Sequence, residues 1–312
     1  KTDTPAQPKR STSIHHTQLT SFCNYSFTMR LITYESAGQL KVGADLGDEI
    51  VDLSAADSTI PTDMLSLLQG GEAVLAACKS AISKGVCRLP SSSVKIKAPI
   101  YNPEKVLCVG MNYVDHCTEQ NIPVPTEPVI FNKFASCICA PGDDIIYTGT
   151  PTENLDFEVE LVIVMGKDCK NVTKEDARAH IAGFTVAHDV SARDWQLKKN
   201  GGQWLIGKAM DTYAPIGPAI VTTDSIDPHV QGIRCKVNDQ TVQDSNTEQM
   251  CFNCDEVVAW ISRFMTLKTG DLILTGTPPG VGCFRKPPMW LKAGDVVTCE
   301  IDNIGSITNK VV

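Results

Sequence analysis

Apolar and polar positions along this chain alternate mainly in short runs, with one longer stretch at helical spacing. Residues 30–34, 42–45 and 49–53 read as short strands separated by turns at Ala37-Gly38 and Gly47-Asp48. Pro61 then opens a helical pattern through Met64, Leu67, Leu68, Val74, Leu75 and Ile82, interrupted near Gly70-Gly71. Residues 91–99 look like a linker, and beyond them β-rich runs at 105–109, 158–164, 181–187 and 296–301 outnumber helices. These runs are not followed by regular crossover helices, which predicts an α+β domain with a mixed sheet in place of a Rossmann sheet. The pattern divides the chain into a tail over residues 1–28, a small N-terminal α/β unit over 29–98 and a large domain over 99–312.

Composition narrows the partners. A chain of 312 residues with 42% hydrophobic content can fill one large core and a small appendage. Its formal charge of −8 and the lack of a basic stripe argue against nucleic acid. No apolar run approaches the roughly 20 residues needed to cross a bilayer. The 13 cysteines are odd in number and scattered, so reduced thiols and an intracellular setting are expected. Residues 1–28 are rich in Ser and Thr, hold one acid, Asp3, and carry Lys1, Lys9 and Arg10. That composition suits either a disordered tail or a mitochondrial transit segment, so we read the protein as mitochondrial, with the cytoplasm as the alternative.

The chemistry concentrates in a few places. In Asp156-Phe-Glu158-Val-Glu160, strand alternation predicts that the three acids share one face. The following Leu161-Val-Ile-Val-Met165 does not alternate, as expected of a strand covered on both faces, so these acids enter a buried strand and call for a cation. Asp189 ends a second β-rich run, a natural ligand position, before a turn at Ser191-Ala-Arg-Asp194 that can cap a helix. Glu158, Glu160 and Asp189 together offer hard oxygen donors that favour Mg²⁺, Mn²⁺ or Ca²⁺ over Zn²⁺ and leave positions open for a chelating 2-oxo acid. His116 and Glu119 are three residues apart, a spacing that places them side by side on a helix, where Glu119 can fix the tautomer of a basic imidazole.

Other features carry less. Cys117 points away from His116 on a helix and has no nucleophile geometry. His188 alternates to the strand face opposite Asp189 and is expected in the core. The glycine-rich run from Gly276 to Gly282 lacks the spacing of a nucleotide loop and reads as a turn between strands or as a backbone wall for an anion.

The runs Cys108-Val-Gly-Met-Asn-Tyr-Val-Asp-His116, Glu158-Val-Glu160, Asp189-Val-Ser-Ala-Arg-Asp-Trp-Gln196, Lys208 and Leu274-Thr-Gly-Thr-Pro-Pro-Gly-Val-Gly282 resemble the fumarylacetoacetate hydrolase family in order and spacing. The resemblance implies a mixed β-roll or sandwich that forms homodimers, with Glu158, Glu160 and Asp189 as ligands of Mg²⁺. It further implies His116 with Glu119 as the acid–base pair, Lys208 as a catalytic cation, and Gln196 and Thr277 as substrate-facing groups. Where the family often has Lys-Ser-Phe or Lys-Thr-Phe, this chain has Lys208-Ala209-Met210. Among the family's reactions, the expectation is keto–enol tautomerisation of oxaloacetate. The alternatives are C–C bond hydrolysis of fumarylacetoacetate or acylpyruvates, oxaloacetate decarboxylation, and a catalytically silent metal-binding protein.

Overall fold

The computed structural model describes residues 1–2 and 28–312, so nearly all of the expected tail lies outside the described residues. A mixed 12-stranded sheet forms the frame. Its pairings are antiparallel except that Leu272–Leu274 runs parallel to Val106–Gly110 and Ala214–Thr222 runs parallel to Ile138–Cys139. A second, 4-stranded antiparallel sheet is built from Gln240–Asn246, Gly232–Val237, Val296–Ile301 and Gly305–Lys310, in that order.

The central strands explain why this is a layered fold. Val159–Met165 and Ile181–His188 are buried at every position. Leu161, Ile163 and Met165 join a core shared with Ile233, Cys235, Val297 and Ile301 of the smaller sheet, whereas Val162 and Val164 join a second core with Leu31, Leu67, Leu68 and Cys78. Both faces of the strand are therefore covered, which is what its unbroken apolar run requires. The result is an α+β sandwich with few helices, as read from the pattern of strands.

In the N-terminal unit one sequence expectation holds, the helical pattern interrupted near Gly70-Gly71, and one changes, the linker. The helical stretch forms as Met64–Gln69 and Gly71–Lys84, broken where Gly71 takes a left-handed φ of 60°. The stretch read as a linker instead contains the strand Lys95–Lys97, which pairs with Arg30–Ser36. Arg30–Ser36 also pairs with Ala214–Thr222, so residues 29–98 extend the same sheet that carries the later residues. A three-residue strand is too short to show its period in sequence, and its pairing is set by partners far along the chain.

Candidate active site

The three carboxylates read from sequence meet where two central strands end. Glu158 precedes Val159–Met165 and Asp189 follows Ile181–His188, and the Asp189 amide donates to the Glu158 carbonyl at 2.8 Å, clamping the two segments together. Glu158, Glu160 and Asp189 are all buried and present oxygen atoms within 4.8 Å of one another. Asp156 does not share their site. The strand breaks after it: Leu155–Asp156 pairs separately with Ser191–Ala192, and the Asp156 carboxylate accepts from Arg193 Nε and from the amides of Gly282 and Cys283 at 2.8, 2.7 and 3.0 Å. Alternation alone could not reveal that break.

Three buried cations face these acids. Lys208 Nζ donates to Glu158 at 2.7 Å and Asp189 at 2.6 Å, and Arg193 donates to Glu158 at 2.5 Å as well as to Asp156. Lys133 Nζ lies 2.7 Å from Asp189 Oδ1, but it donates to the carbonyls of Val190, Lys208 and Tyr213 at 3.0, 2.6 and 2.7 Å. An ammonium has only three protons, so Asp189 Oδ1 receives charge from Lys133 without a hydrogen bond and remains a buried acceptor lacking a donor. Burial would raise the Glu158 carboxyl, yet the charges of Arg193 and Lys208 hold it down at about 2. Burial would lower the Lys208 ammonium, and Asp189 and Glu158 instead hold it above its usual value. Burial, followed by the charges of Asp189 and Glu158, pushes Glu160 well above the carboxylate range.

That imbalance tests the fit of a metal. With every carboxyl ionised, Asp156, Glu158, Glu160 and Asp189 would outnumber the buried cations Lys133, Lys208 and Arg193 by one charge, which is why Glu160 is driven toward its neutral form when no further cation is present. Glu160 is the uncompensated acid, and Asp189 Oδ1 is the undonated oxygen. A divalent ion held by hard carboxylate oxygens satisfies both and would turn the local balance to net positive, which favours an anionic ligand. The residues present therefore fit Mg²⁺ or Mn²⁺.

His116 of the acid–base pair lines the same cavity from a different element. The helix Val114–Glu119 carries His116, whose Nδ1 lies 3.0 Å from Glu119 Oε2, while His116 Nε2 lies 2.8 Å from Gln120 Nε2. An amide N–H can only donate, so this contact places the neutral imidazole's lone pair at Nε2 and its proton at Nδ1, facing Glu119. The helix is pinned by Ser245 Oγ donating to Asp115 at 2.5 Å and by the Gly280 amide donating to Glu119 at 3.0 Å.

The glycine-rich run proves to be an anchor for the protein's own acids. The amides of Gly276, Gly280 and Gly282 donate to Glu160, Glu119 and Asp156, at 2.7, 3.0 and 2.7 Å. Gly276 and Gly280 adopt φ of 101° and 102°, and a Cβ at Gly280 would sit 2.1 Å from the Val242 carbonyl, so the close approach needs glycine. The cavity, about 110 Å³, is lined by His116, Gln120, Glu158, Glu160, Arg193, Gln196, Lys208 and Thr277, and by an apolar wall of Phe131, Leu197, Trp204 and Phe284.

Residues 105–312 match the family described as fumarylacetoacetate (FAA) hydrolase C-terminal. The chain belongs to the fumarylacetoacetate hydrolase family. It is 54% identical over 292 residues to the mitochondrial oxaloacetate tautomerase fahd2 of Xenopus laevis, covering 92% of this chain and 91% of that protein. It is 52% identical over 291 residues to the human mitochondrial oxaloacetate tautomerase FAHD2A, with 91% of this chain and 92% of that protein covered. Among solved structures, a fumarylacetoacetate hydrolase from Exiguobacterium antarcticum is 34% identical with a TM-score of 0.81, covering 91% of this chain and 99% of that one. A maleylpyruvate hydrolase from Sphingobium, solved with manganese(II) and pyruvate, is 29% identical with a TM-score of 0.77 over 91% of this chain and 99% of that one.

Within this family fold, His116, Glu158, Glu160, Gln196, Lys208 and Thr277 line one cavity, and two residues stand behind its lining, Asp189 joined through Lys208 and the two glutamates and Glu119 through its bond to His116. Gln196 is oriented by Arg193, whose Nη1 donates to its Oε1 at 2.8 Å, and Thr277 donates to the Val159 carbonyl at 2.9 Å. Ala209 and Met210 lie outside the cavity lining, and Met210 packs against the core. Sequence reasoning missed Lys133, Arg193 and Gln120. Arg193 was placed in a capping turn, but the helix Arg193–Leu197 starts without a side-chain cap and its arginine turns inward. His188 is fully buried, and burial, with the nearby charges of Lys133 and Lys208, lowers its value to about 3 against the opposing pull of Asp189. The cysteines among the described residues are all free, and no described helix is long and apolar enough to cross a membrane.

Proposed function

We propose that this protein is a divalent-metal-dependent oxaloacetate keto–enol tautomerase. The observation that carries the reading is a histidine, held by Glu119 and Gln120, that lines a small cavity together with members of a compact set of buried carboxylates. Moving one proton beside a chelated 2-oxo acid requires this much and no separate nucleophile. The names of the Xenopus and human relatives support the choice of substrate and a mitochondrial location.

Glu158, Glu160 and Asp189 would hold the ion, with Mg²⁺ preferred for an all-oxygen set that leaves positions for water and substrate. When bound, the ion supplies Lewis acidity to the keto and enol oxygen. His116 Nε2 moves the proton at the carbon next to the keto group, while Glu119 accepts Nδ1–H and stabilises the ring as it becomes positive. Lys208 and Arg193 fix the carboxylates and attract the anionic substrate. The apolar wall of Phe131, Leu197, Trp204 and Phe284 limits water around the reacting carbon. We also propose that the chain acts as a homodimer, and that residues 29–98 are an appendage to a catalytic domain spanning 99–312.

Hydrolysis of a C–C bond is the second reading, favoured by the hydrolases among the structural neighbours and served by the same dyad acting on water. Ultraviolet decay of enol-oxaloacetate separates the two, measured with Mg²⁺ present or chelated and with pyruvate assayed in parallel. Enol loss that depends on Mg²⁺ and releases no pyruvate is the expected result. Pyruvate formed in step with the decay would overturn it in favour of decarboxylation, and activity on acylpyruvates alone would favour hydrolysis.

A further inference from the structure

The cavity contains few uncommitted donors. Its lining cations, Arg193 and Lys208, are already paired with Asp156, Glu158 and Asp189, and Thr277 donates to a backbone carbonyl. The side-chain amides of Gln196, whose Oε1 accepts from Arg193, and of Gln120 also line it, and Gln120 is the one in contact with His116 Nε2. It sits at the end of the helix Val114–Glu119, half-buried at the cavity lining, with its Nε2 against the lone pair of the base at 2.8 Å and only a distant 3.9 Å contact to Met111 sulfur otherwise. In the ligand-free protein, Gln120 thus covers the atom that must receive the proton.

We propose that Gln120 is a positioning and specificity residue that recognises a carboxylate on the carbon undergoing proton transfer, and uncovers His116 when that carboxylate binds. The inference rests on the tautomerase reading for the identity of the reacting carbon. In a 2-oxo acid bearing a second carboxylate, that group is attached directly to the carbon whose proton His116 moves, so it must lie beside the imidazole. The donor placed there is Gln120 Nε2–H. A full negative charge is a better acceptor than a neutral imidazole, so the amide transfers its hydrogen bond to the carboxylate and frees His116 Nε2. A monocarboxylate such as pyruvate leaves the base covered. The site would therefore select 2-oxo acids with a second carboxylate one carbon from the keto group, by neutral hydrogen bonding in place of a dedicated cation.

Malate and lactate test this without turnover, because both carry the 2-hydroxy acid end and only malate has the second carboxylate. Calorimetric titration of the Mg²⁺-loaded protein should show malate binding more tightly than lactate. Gln120→Met should weaken malate about ten- to a hundredfold, the effect of losing a hydrogen bond to a charged group, and leave lactate unchanged. Gln120→Glu should weaken malate further by repulsion. The nitrogen-15 signal of His116 Nε2 should move with malate but not lactate in the wild-type protein. An unchanged malate-to-lactate ratio in Gln120→Met, or equal weakening of both ligands, would overturn the proposal. An inactive wild-type protein that still shows the predicted ratio and its loss would instead count against the tautomerase reading alone.

Discussion

Glu158, Glu160 and Asp189 sit where fully buried strands end and are surrounded by Lys133, Lys208 and Arg193, whereas His116, Glu119 and Gln120 belong to one short helix and its end, at the rim of the cavity. The floor gains its rigidity from ion pairs and from the sandwich packed on both sides of it. The rim depends on a handful of hydrogen bonds from Ser245, Gly280 and Gln120. The difference teaches a division of labour. Binding a cation requires oxygens held at fixed separation against their mutual repulsion, which a deep strand end provides. Proton transfer requires a group that can exchange partners as it changes charge, which a lightly pinned helix allows.

Breaking the floor should have the largest effect. Lys133→Met would leave several carbonyls and Asp189 without their buried cation, and should lower unfolding stability by about 3–5 kcal/mol in a denaturant titration. A loss below about 1 kcal/mol would show that the ammonium is not an anchor. An intermediate effect is expected at the rim. Glu119→Gln keeps the shape of the dyad but removes the charge that faces Nδ1, and should reduce kcat about a hundredfold with Mn²⁺ affinity unchanged. A matching fall in Mn²⁺ affinity would mean that rim and floor are not separable. The smallest change is Ser245→Ala, which removes one donor to Asp115 and should lower stability by about 1 kcal/mol while kcat stays within about threefold. A larger fall in kcat would show that this pin sets the position of His116.

Much of the floor was legible in the sequence because it follows local periodicity. The unbroken run Leu161-Val-Ile-Val-Met165 marks a strand covered on both faces, and Glu158 and Glu160 share a parity that survives folding. The spacing of His116 and Glu119 likewise carries directly into a helical neighbour pair. What sequence could not supply was long-range partnership. Lys133 and Val190 are separated by 57 positions, and nothing in Phe131-Asn-Lys133-Phe distinguishes a buried anchor from an exposed lysine. The most the sequence offers is that Lys133 shares strand parity with Val129 and Phe131, which places it on their face without saying that the face is buried. The break after Asp156 was hidden for the same reason, since it depends on pairing with Ser191–Ala192 and on amides from Gly282 and Cys283. Gln120 was overlooked because amides carry no charge to attract notice.

The division between floor and rim is tested most directly by titrating Mn²⁺ into wild-type protein and His116→Ala side by side, with enol-oxaloacetate decay measured on the same samples. The account predicts one Mn²⁺ per chain in both, with dissociation constants within about twofold of each other, and decay lost only in His116→Ala. Loss of Mn²⁺ binding in His116→Ala, or retention of full activity, would contradict it.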